Sequence, residues 1–568
     1  MLSDAFAGLQ KLMLPDRWQA LALTALRAGR DVVVDAPTGA GKTYVFERWA
    51  EQHNFSKRAL FTVPTRALAN DKFAEWRARD WDVGIMTGDL SVNPQAPIVV
   101  ATLEAAQGHI VAQRSGPARR DAPAPFQLLV VDEYHWLADG HRGNHYEGVL
   151  LAAPSDLQLL LLSGAVANPH DVAAWLGRLG RKAEVVQHRE RPVQLEEVDV
   201  DDMIHGLPKC IEGFWAKRVA GALRENLGPV LVFAPHRSDA ERLARQFSRE
   251  LPLADPLTLT PEQEQLCGPQ LTKLLSRRVA YHHSGLSYAQ RAGVIEPLAK
   301  AGQLRAVVAT LGLSAGINFS LRSVLITASS YRHDHLDREI APHDLLQMIG
   351  RAGRRGLDEV GYVLVSNSTP RMRRAEPLRL KRAVPLPWAM FLRQLRTGRD
   401  ARELALTQAD LFFSEDRISL GLSPTSRPPE SIPCHEATDT GRARLVRRER
   451  NPFLGCRTCV HRAECLALPT TPTLLWQWQR VGVLDRQLKL TARGDIVSFF
   501  LGPEGLALAA ALEDRRYPLD DLVFDAANLF AGDRFAGTNP RTIGRLADAC
   551  TRAYRRMTIE GWLNEGLP

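Results

Sequence analysis

Residues 36–43 read Ala36-Pro37-Thr38-Gly39-Ala40-Gly41-Lys42-Thr43, and they closely follow the apolar run 32–34. The pattern predicts a buried strand, a glycine-rich turn and a helix that starts near Lys42. Because Gly39 and Gly41 have no side chain, the backbone can curl until successive N–H groups point at phosphate oxygens. We therefore expect this stretch, the phosphate loop, to hold a nucleotide through residues 38–43. Lys42 would reach the β- and γ-phosphates, and the Thr43 hydroxyl would ligate Mg²⁺.

A second motif, which is acidic, supports this interpretation. The run Leu128-Leu129-Val130-Val131 is fully apolar, as expected for a central parallel strand, and it ends in Asp132-Glu133-Tyr134-His135. Two carboxylates at the end of a buried strand are costly unless a metal ion or hydrogen-bond donors satisfy them. We expect Asp132 to hold Mg²⁺ and Glu133 to act as the base that activates the attacking water. We call these two residues the acidic pair.

The composition is that of a globular protein. The 568 residues suffice for three to four domains, with 45% hydrophobic and 24% charged residues. The sequence shows neither an 18-residue apolar stretch nor a basic start followed by an apolar segment. We therefore expect no membrane span, no signal peptide and a cytoplasmic location. The net charge of +8 favours a polyanionic partner.

Apolar runs alternate with helical patterns from about residue 20 to 370. The expected strands are 31–35, 59–63, 97–101, 128–132, 158–163, 229–234, 278–282, 304–309, 323–327 and 361–366. Two successive strand–helix series predict an α/β fold with two doubly wound parallel sheets. The expected domains are 1–190 and 191–370 for the sheets, 371–430 for a small helical domain with a linker, and 431–568 for a cysteine module with C-terminal helices.

Further motifs carry a resemblance to a known family. Residues 347–356 read Gln347-Met348-Ile349-Gly350-Arg351-Ala352-Gly353-Arg354-Arg355-Gly356, and we call this stretch the arginine turn. With the phosphate loop and the acidic pair, it resembles the superfamily 2 DExH-box helicases, and among them the superkiller-type subgroup. The resemblance covers roughly residues 10 to 370. It implies two tandem RecA-like domains that close on ATP, followed by helical C-terminal domains of which the first is winged-helix-like.

The resemblance assigns further roles at the ATP site. Gln19 would read adenine, and Gly316 belongs to a motif that contacts the nucleotide. Gln347 would help at the γ-phosphate. Arg351 and Arg354 would reach the same phosphate from the second domain as arginine fingers.

The resemblance also implies loops that contact the backbone of a nucleic-acid strand. Hydroxyl and guanidinium groups suit that task without reading bases. The residues concerned are Thr65, Arg66, Thr87, Thr102, Arg237, His283 and Thr310. The family places a strand-separating β-hairpin where residues 329–341 lie.

One motif departs from the family pattern. The family usually has Ser-Ala-Thr where this chain reads Ser163-Gly164-Ala165. In the family that motif links ATP hydrolysis to strand movement, so the missing threonine puts the efficiency of coupling in doubt, and not ATP binding.

Four of the seven cysteines cluster, namely Cys434, Cys456, Cys459 and Cys465. In an intracellular protein such a cluster indicates a metal rather than disulfides. Four thiolates fit either structural zinc or an iron–sulfur cluster. The single Cys-x₂-Cys pair followed by five residues is similar to the iron–sulfur staple of certain helicase–nuclease subunits. We favour a 4Fe-4S cluster and keep zinc as the alternative.

The C-terminal region shows helical patterns. Residues 504–513 and 519–530 predict two packed helices, and residues 540–557 predict a third. In the third helix an arginine stripe lies opposite an apolar face. Arg545 and Arg552 of that stripe are candidate nucleic-acid contacts, and a solvated outer face is the alternative.

The expected function is an ATP-dependent nucleic-acid helicase or translocase that moves 3′ to 5′. We expect single-stranded or partly duplex nucleic acid as its partner, with DNA favoured over RNA. The alternatives are an RNA helicase, a nucleic-acid-stimulated ATPase that remodels or clamps without unwinding, and a binding subunit without activity. A nuclease linked to the metal module is a weaker alternative, because no acidic motif supports it.

Overall fold

The computed structural model describes most of the chain. The described residues are 15–114, 124–139, 142–252, 255–311, 317, 319–333, 336–381, 388–396, 478, 481–485, 487, 489–500, 504–531 and 544–554. They form two compact units. The first unit holds the described residues up to Gly108, those from 124 to His135, and Ser155–Leu380. The second holds residues 109–114, Trp136–Pro154 and the described residues from Lys381 onward.

The first unit contains two large sheets, and the first of these has eight strands. They are β1 Asp31–Asp35, β2 Ala59–Val63, β3 Val83–Met86, β4 Ser91–Val92, β5 Ile98–Thr102, β6 Leu128–Asp132, β7 Gln158–Ser163 and β8 Ala183–Gln187. Their spatial order is β4-β3-β5-β2-β6-β7-β1-β8. All neighbours are parallel except the short hairpin of β3 and β4.

The second sheet has six strands, all parallel. They are β9 Gln194–Asp199, β10 Val230–Ala234, β11 Val279–His282, β12 Ala306–Thr310, β13 Ser323–Ile326 and β16 Val360–Val365, in the order β11-β12-β10-β13-β16-β9. A separate antiparallel hairpin consists of β14 Ser330–His333 and β15 Leu336–Glu339. This hairpin lies where the sequence predicts one, between residues 329 and 341.

Helices alternate with the strands in both sheets. Those of the first unit are α1 Arg17–Arg27, α2 Lys42–Gln52, α3 Arg66–Arg77, α6 Pro169–Arg178, α7 Phe214–Arg224, α8 Arg237–Glu250, α9 Pro261–Ser276, α10 Tyr288–Gln290, α11 Glu296–Lys300 and α12 Pro342–Ile349. Helix α4, Leu103–Arg114, runs from the first unit into the second. A π-helical turn, Arg291–Ile295, joins α10 to α11.

The central strands are buried because they consist of apolar and β-branched residues. Val32, Val33 and Val34 are fully buried, and the central strands β2, β5, β10 and β12 are buried along their whole length. Burying a side chain of this size contributes about 1.5–3 kcal/mol. The α/β prediction with two parallel sheets is therefore confirmed. The chain leaves the first sheet after Gln187 and enters the second at Gln194.

The second unit is helical where it is described. Its helices are α5 Gly143–Ala152, α13 Trp388–Arg396, α14 Ala492–Ser498, α15 Glu504–Glu513, α16 Leu519–Ala531 and α17 Arg545–Tyr554. Helix α17 turns Leu546, Cys550 and Tyr554 inward, as its apolar periodicity predicts. The Tyr554 hydroxyl donates a hydrogen bond of 2.7 Å to the Leu506 carbonyl of α15.

Below, the first lobe means the first sheet with α1, α2, α3 and α6, which pack against it. The second lobe means the second sheet with the helices α7 to α12. No described helix is both long and apolar enough to cross a membrane.

Candidate ATPase site

The phosphate loop joins β1 to α2 through two glycines in the left-handed region. Gly39 has φ +82° and Gly41 has φ +85°, a conformation that a residue with a side chain adopts only under strain. Gly41 is also the residue from which α2 begins at Lys42. The Lys42 ammonium donates hydrogen bonds to the carbonyls of Ala36 (3.0 Å) and Pro37 (3.3 Å), so it lies inside the curl of the loop. This is the geometry that the glycine spacing predicts.

Gln19 is held against the phosphate loop. Its side-chain oxygen accepts a hydrogen bond from the Asp16 N–H (2.8 Å), which completes a capping box at the start of α1. Its Nε2 donates to the carbonyls of Gly41 (3.0 Å) and Ala40 (3.3 Å). Both amide hydrogens therefore contact the loop. Only the oxygen of this buried side chain retains a lone pair that could meet a base.

The acidic pair ends β6, next to β7 and one strand away from β1. Glu133 has φ +55°, a strained conformation for a residue with a side chain, and its N–H donates to the Asp132 carboxylate (3.1 Å). Burial and the charge of Glu133 raise the pKa of Asp132 to about 7. Burial also raises the pKa of Glu133, but His135, Lys42 and Arg351 outweigh it and lower that pKa to about 2. Glu133 is therefore the carboxylate that stays ionised.

His135 connects the acidic pair to the second lobe. Its Nδ1 lies 3.1 Å from the Glu133 carboxylate and 3.1 Å from the Ser163 hydroxyl. Its Nε2 lies 2.9 Å from the Gln347 amide nitrogen. An amide nitrogen only donates, so Nε2 accepts and the ring proton sits on Nδ1. Gln347 was predicted near the γ-phosphate, and the structure brings it to the end of the acidic motif.

Arg351 is the arginine that faces the acidic pair. Burial lowers the pKa of its guanidinium, and the charges of Glu133, Asp132 and Glu296 raise it. Arg191 stabilises the arginine turn, since its guanidinium donates to the carbonyls of Gly350 (3.1 Å) and Ala352 (3.3 Å). Arg191 was not predicted as a site residue. Its position beside the turn depends on a contact across 159 residues that no local pattern reveals.

Arg354 was predicted to reach the γ-phosphate, but in this structure the side chains of Arg354 and Arg355 have other partners. The Arg354 guanidinium forms a two-pronged ion pair with Asp358 (2.8 and 2.9 Å), so in this structure it does not point at the phosphate loop. Arg355, which was not predicted as a site residue, donates to the Ala40 carbonyl (3.2 Å) and pairs with Asp16 (3.1 Å). The contact from the arginine turn to the phosphate loop is thus made by Arg355. Gly316, the remaining residue predicted at this site, lies outside the described residues.

In the first lobe, the predicted strand-contacting residues lie at the carboxyl ends of β2, β3 and β5. Thr65 caps α3 by accepting a hydrogen bond from the Leu68 N–H (3.3 Å). Arg66 pairs with Asp89 (3.1 Å), which also accepts a hydrogen bond from Thr87 (2.8 Å). The structure therefore brings Arg66 and Thr87 together on an exposed edge. Thr102 is buried at the end of β5.

In the second lobe, Arg237, His283 and Thr310 follow the ends of β10, β11 and β12. Arg237 donates to the Ser284 hydroxyl (2.6 Å) on the exposed side of the loop. His283 is buried instead: its Nε2 lies 3.2 Å from Glu241, and its Nδ1 accepts from the Gly285 N–H. Its side chain is oriented by these contacts within the second lobe, and its contact with a nucleic-acid strand stays a prediction. Thr310 is also buried.

Arg545 and Arg552 of α17 have acidic partners elsewhere in the second unit. Arg545 pairs with Asp521, and Arg552 pairs with Asp514 (2.6 Å). Both side chains are about half exposed, at 51% and 52%. This geometry favours the alternative of a solvated outer face over a nucleic-acid contact.

The four clustered cysteines lie outside the described residues. Among the described residues there is no group of three or more His, Cys, Asp or Glu that could hold a metal ion. The oxygen donors of the ATPase site, the Thr43 hydroxyl and the two carboxylates of the acidic pair, are the ligand types that Mg²⁺ prefers.

Comparisons with known proteins agree with this geometry. The model of the DEAD/DEAH box helicase family matches residues 16–172, and the model of the helicase conserved C-terminal domain matches residues 217–356. The first match spans the phosphate loop and the acidic pair, and the second spans the arginine turn.

Curated relatives include both DNA and RNA helicases. The chain is 30% identical over 421 residues to the probable helicase HelY of Mycobacterium tuberculosis, covering 62% of this chain and 45% of HelY. It is 31% identical over 359 residues to the ATP-dependent DNA helicase Hel308 of Thermoplasma acidophilum, covering 61% of this chain and 52% of that protein. It is 28% identical over 470 residues to the ATP-dependent RNA helicase mtr4 of Schizosaccharomyces pombe, covering 70% and 41%. The chain thus matches about half or less of each relative's length.

Proposed function

We propose that the chain is a superkiller-type superfamily 2 helicase or translocase that uses ATP to move 3′ to 5′ along a nucleic-acid strand, which its two helicase-domain matches and its DNA- and RNA-helicase relatives support. The observation that carries the proposal is the convergence of groups from both lobes. Arg351 of the second lobe is close enough to Glu133 to shift its pKa, and Gln347 contacts His135 (2.9 Å). ATP bound between these groups would be hydrolysed only when the lobes are together.

Each residue has a defined chemical task in this proposal. Lys42 and the curled backbone of the phosphate loop bind the β- and γ-phosphates. Thr43 and Asp132 would hold Mg²⁺, whose charge helps to neutralise the phosphates. Glu133, kept ionised by its neighbours, accepts the proton of the attacking water. Arg351 stabilises the charge that develops on the transferred phosphoryl group, and a buried guanidinium is effective there because little water screens it.

Nucleic acid would lie along the carboxyl edges of the two sheets. Arg66 and Arg237 are the exposed cations there, one in each lobe, and each is oriented by a neighbouring loop. Contacts of this kind hold a phosphate backbone and do not read bases. The hairpin of β14 and β15 would separate the strands of a duplex. We propose DNA as the substrate. RNA stays the alternative, because the relatives include enzymes named for each.

The proposal predicts ATP hydrolysis that depends on a strand. We expect ATPase activity to rise on addition of single-stranded DNA, and more than on addition of RNA of the same sequence. A duplex with a 3′ single-stranded tail should be unwound faster than one with a 5′ tail. Equal stimulation by DNA and RNA would remove the substrate preference, and no stimulation by either would contradict the proposal.

Glu133→Gln is the most direct test of the catalytic base. The variant should bind ATP, because the amide has nearly the same shape, and it should lose turnover, because the amide cannot accept a proton. Fluorescent-nucleotide binding and phosphate release measure the two properties separately. Turnover at the wild-type rate would refute the role of Glu133.

A strand-stimulated ATPase that clamps or remodels without unwinding is the second candidate. The observation in its favour is Ala165, which stands where the family usually has the threonine of its coupling motif. Strand-stimulated ATPase activity without unwinding of either tailed duplex would favour this candidate.

We further propose that Cys434, Cys456, Cys459 and Cys465 bind a 4Fe-4S cluster, with zinc as the alternative. Such a cluster would fold the residues between them without a large apolar core. Iron, zinc and acid-labile sulfide contents of the purified chain, together with its visible absorption spectrum, distinguish the two. A Cys456→Ser variant should lose metal, and unchanged metal content would contradict the assignment.

A further inference from the structure

The segment that follows β7 is paired on one side with a distant part of the chain. We call residues 163–168 the Ser163 segment and residues 376–380 the strap. The Leu378 N–H donates to the Ala165 carbonyl (2.6 Å), and the Ala167 N–H donates to the Leu378 carbonyl (2.9 Å). Val166 and Leu378 thereby form a parallel bridge. The strap is thus docked as a short extra strand.

Asn168 extends this pairing with its side chain. Its Oδ1 accepts a hydrogen bond from the Leu380 N–H (2.8 Å), and its Nδ2 donates to the Leu380 carbonyl (3.2 Å). Nδ2 also lies 2.8 Å from the Asp171 carboxylate, which fixes the orientation of the amide. Asn168 and Leu380 are both buried, so losing these bonds would leave polar groups without compensation from water. The primary amide serves both backbone groups of Leu380 at once, because its oxygen accepts and its nitrogen donates.

The other side of the Ser163 segment faces the phosphate loop. The Ala36 N–H donates to the Ser163 carbonyl (2.9 Å), and the Asp35 carboxylate accepts from the Val166 N–H. Gly164 is so close to the loop that a Cβ there would lie 2.4 Å from the Ala36 carbonyl oxygen and 3.0 Å from the Lys42 ammonium. A displacement of the phosphate loop would therefore displace the Ser163 segment, because there is no free space between them.

The strap begins on the second lobe. Just before it, the Met372 N–H donates to Glu197 (2.6 Å), and at its first residue the Glu376 N–H donates to the Pro342 carbonyl (3.3 Å). After Leu380 the chain continues into Lys381 and the second unit. The strap therefore connects three parts of the molecule. It leaves the second lobe and pairs with the Ser163 segment of the first lobe. It then leads to the C-terminal residues.

We propose that the docked strap transmits the nucleotide state of the phosphate loop to the chain beyond Lys381, and that Asn168 is the positioning residue that holds it. The Ala165 carbonyl and the neighbouring Ala167 N–H bind the strap. The inference rests on the proposed function, because it assumes that the phosphate loop binds ATP.

Hydrogen exchange tests the inference without requiring unwinding. The amide protons of Leu378 and Leu380 should exchange at a rate that changes severalfold when Mg²⁺ and a non-hydrolysable ATP analogue are added. Lys42→Ala, which cannot bind the phosphates, should show no such change. A chain that binds the analogue with unchanged exchange would overturn only this inference. A chain that binds no nucleotide would overturn it together with the proposed function.

Asn168→Ala tests whether the strap matters for coupling. ATPase activity and the KM for ATP should stay within about twofold of the wild type, since the substitution leaves the phosphate loop and acidic pair intact. The number of base pairs unwound per ATP should fall at least fivefold. Glu376→Ala is the matched control, because Glu376 lies on the same strap with an exposed side chain.

The isosteric Asn168→Asp variant is a control for a folding defect. It keeps the acceptor for the Leu380 N–H but cannot donate to the Leu380 carbonyl, and we expect an intermediate loss of coupling. Unwinding and ATPase activity that fall in parallel in both variants would show a merely structural role. An unchanged ratio of unwinding to hydrolysis would overturn the inference as well.

Discussion

The two lobes place loops at the carboxyl edges of their sheets in the same way, yet they contribute opposite chemistry. In each lobe one exposed arginine connects adjacent loops, Arg66 with Asp89 and Arg237 with Ser284. The first lobe adds a phosphate loop and two carboxylates, and the second adds the arginine turn. In the proposed mechanism neither set hydrolyses ATP alone, since the proposed base lies in the first lobe and the proposed arginine finger in the second.

The difference explains why the contacts between the lobes are polar. Gln347 reaches His135, Arg355 reaches the Ala40 carbonyl and Asp16, and the Tyr288 hydroxyl donates to the Asn70 carbonyl (3.2 Å). Hydrogen bonds of this kind contribute about 0.5–1.5 kcal/mol each, or about 1.5–3 kcal/mol with a charged partner. Such contacts can break and re-form during each cycle, as lobes that open and close require.

The largest expected effect comes from removing one half of the site at a time. Lys42→Ala and Arg351→Ala should each lower ATPase activity on the order of a thousandfold, because each removes a cation from the phosphates. Only Lys42→Ala should also abolish nucleotide binding, since Lys42 belongs to the lobe that holds the phosphates. Fluorescent-nucleotide titration measures binding, and phosphate release measures ATPase activity, in both variants. Loss of binding in both variants would mean that the lobes do not divide the work in this way.

Arg355→Ala and Arg354→Ala should have smaller effects, and different ones. Arg355 contacts the phosphate loop, so its loss should raise the KM for ATP about tenfold, as for a charge-assisted hydrogen bond. Arg354 is bound to Asp358, so Arg354→Ala should lower the melting temperature and reduce kcat by less than about tenfold. Steady-state kinetics and thermal denaturation measure both. A loss of kcat in Arg354→Ala as large as that in Arg351→Ala would show that Arg354 leaves Asp358 during turnover and acts as a second finger.

The strands were predictable to within two residues where they are central. β1, β2, β6 and β7 are continuous apolar runs, and such runs in a parallel sheet are buried on both faces. The strands that the sequence did not reveal lie at or near sheet edges. β9 reads Gln-Leu-Glu-Glu-Val-Asp, and its polar residues are tolerated because one side of an edge strand stays open to water.

The site was predictable at its backbone motifs and less so at its side chains. Gly39 and Gly41 must be glycine to reach positive φ, so their spacing alone reveals the loop. The direction of a long side chain is decided by partners that no local pattern identifies. His283 faces Glu241, and Arg354 faces Asp358, because those acids offer the nearest compensation for their charge or polarity.

Asp71 gives the contact between the lobes a dependence on pH. This buried carboxyl of α3 faces Arg291, Glu296 and Lys300 of the second lobe, with Lys72 beside it on its own helix. Burial and the charge of Glu296 raise its pKa from 3.8 to about 7. Because the folded pKa exceeds the unfolded one, the stabilisation is complete below about pH 4 and is lost as the pH rises through 7.

Asp71→Asn should remove this dependence, because the amide imitates the protonated acid at every pH. Between pH 5 and 8 the melting temperature of the wild type should fall by several degrees more than that of the variant. The matched control is Asp80→Asn, at an exposed position of the same lobe. A wild type and an Asp71→Asn variant with parallel pH profiles would contradict the raised pKa.

The smallest effect is expected in the second unit, at Arg545 and Arg552. Each is paired with an aspartate of its own helical region and stays half exposed, and ion pairs in such positions are worth little. Replacing both by glutamine should lower the melting temperature slightly and leave strand affinity within about twofold at moderate salt. Fluorescence anisotropy with labelled single strands over a range of salt concentrations measures this. A clear loss of affinity with a flatter salt dependence would instead mean that these arginines bind phosphates, and that strand contacts extend beyond the edges of the two sheets.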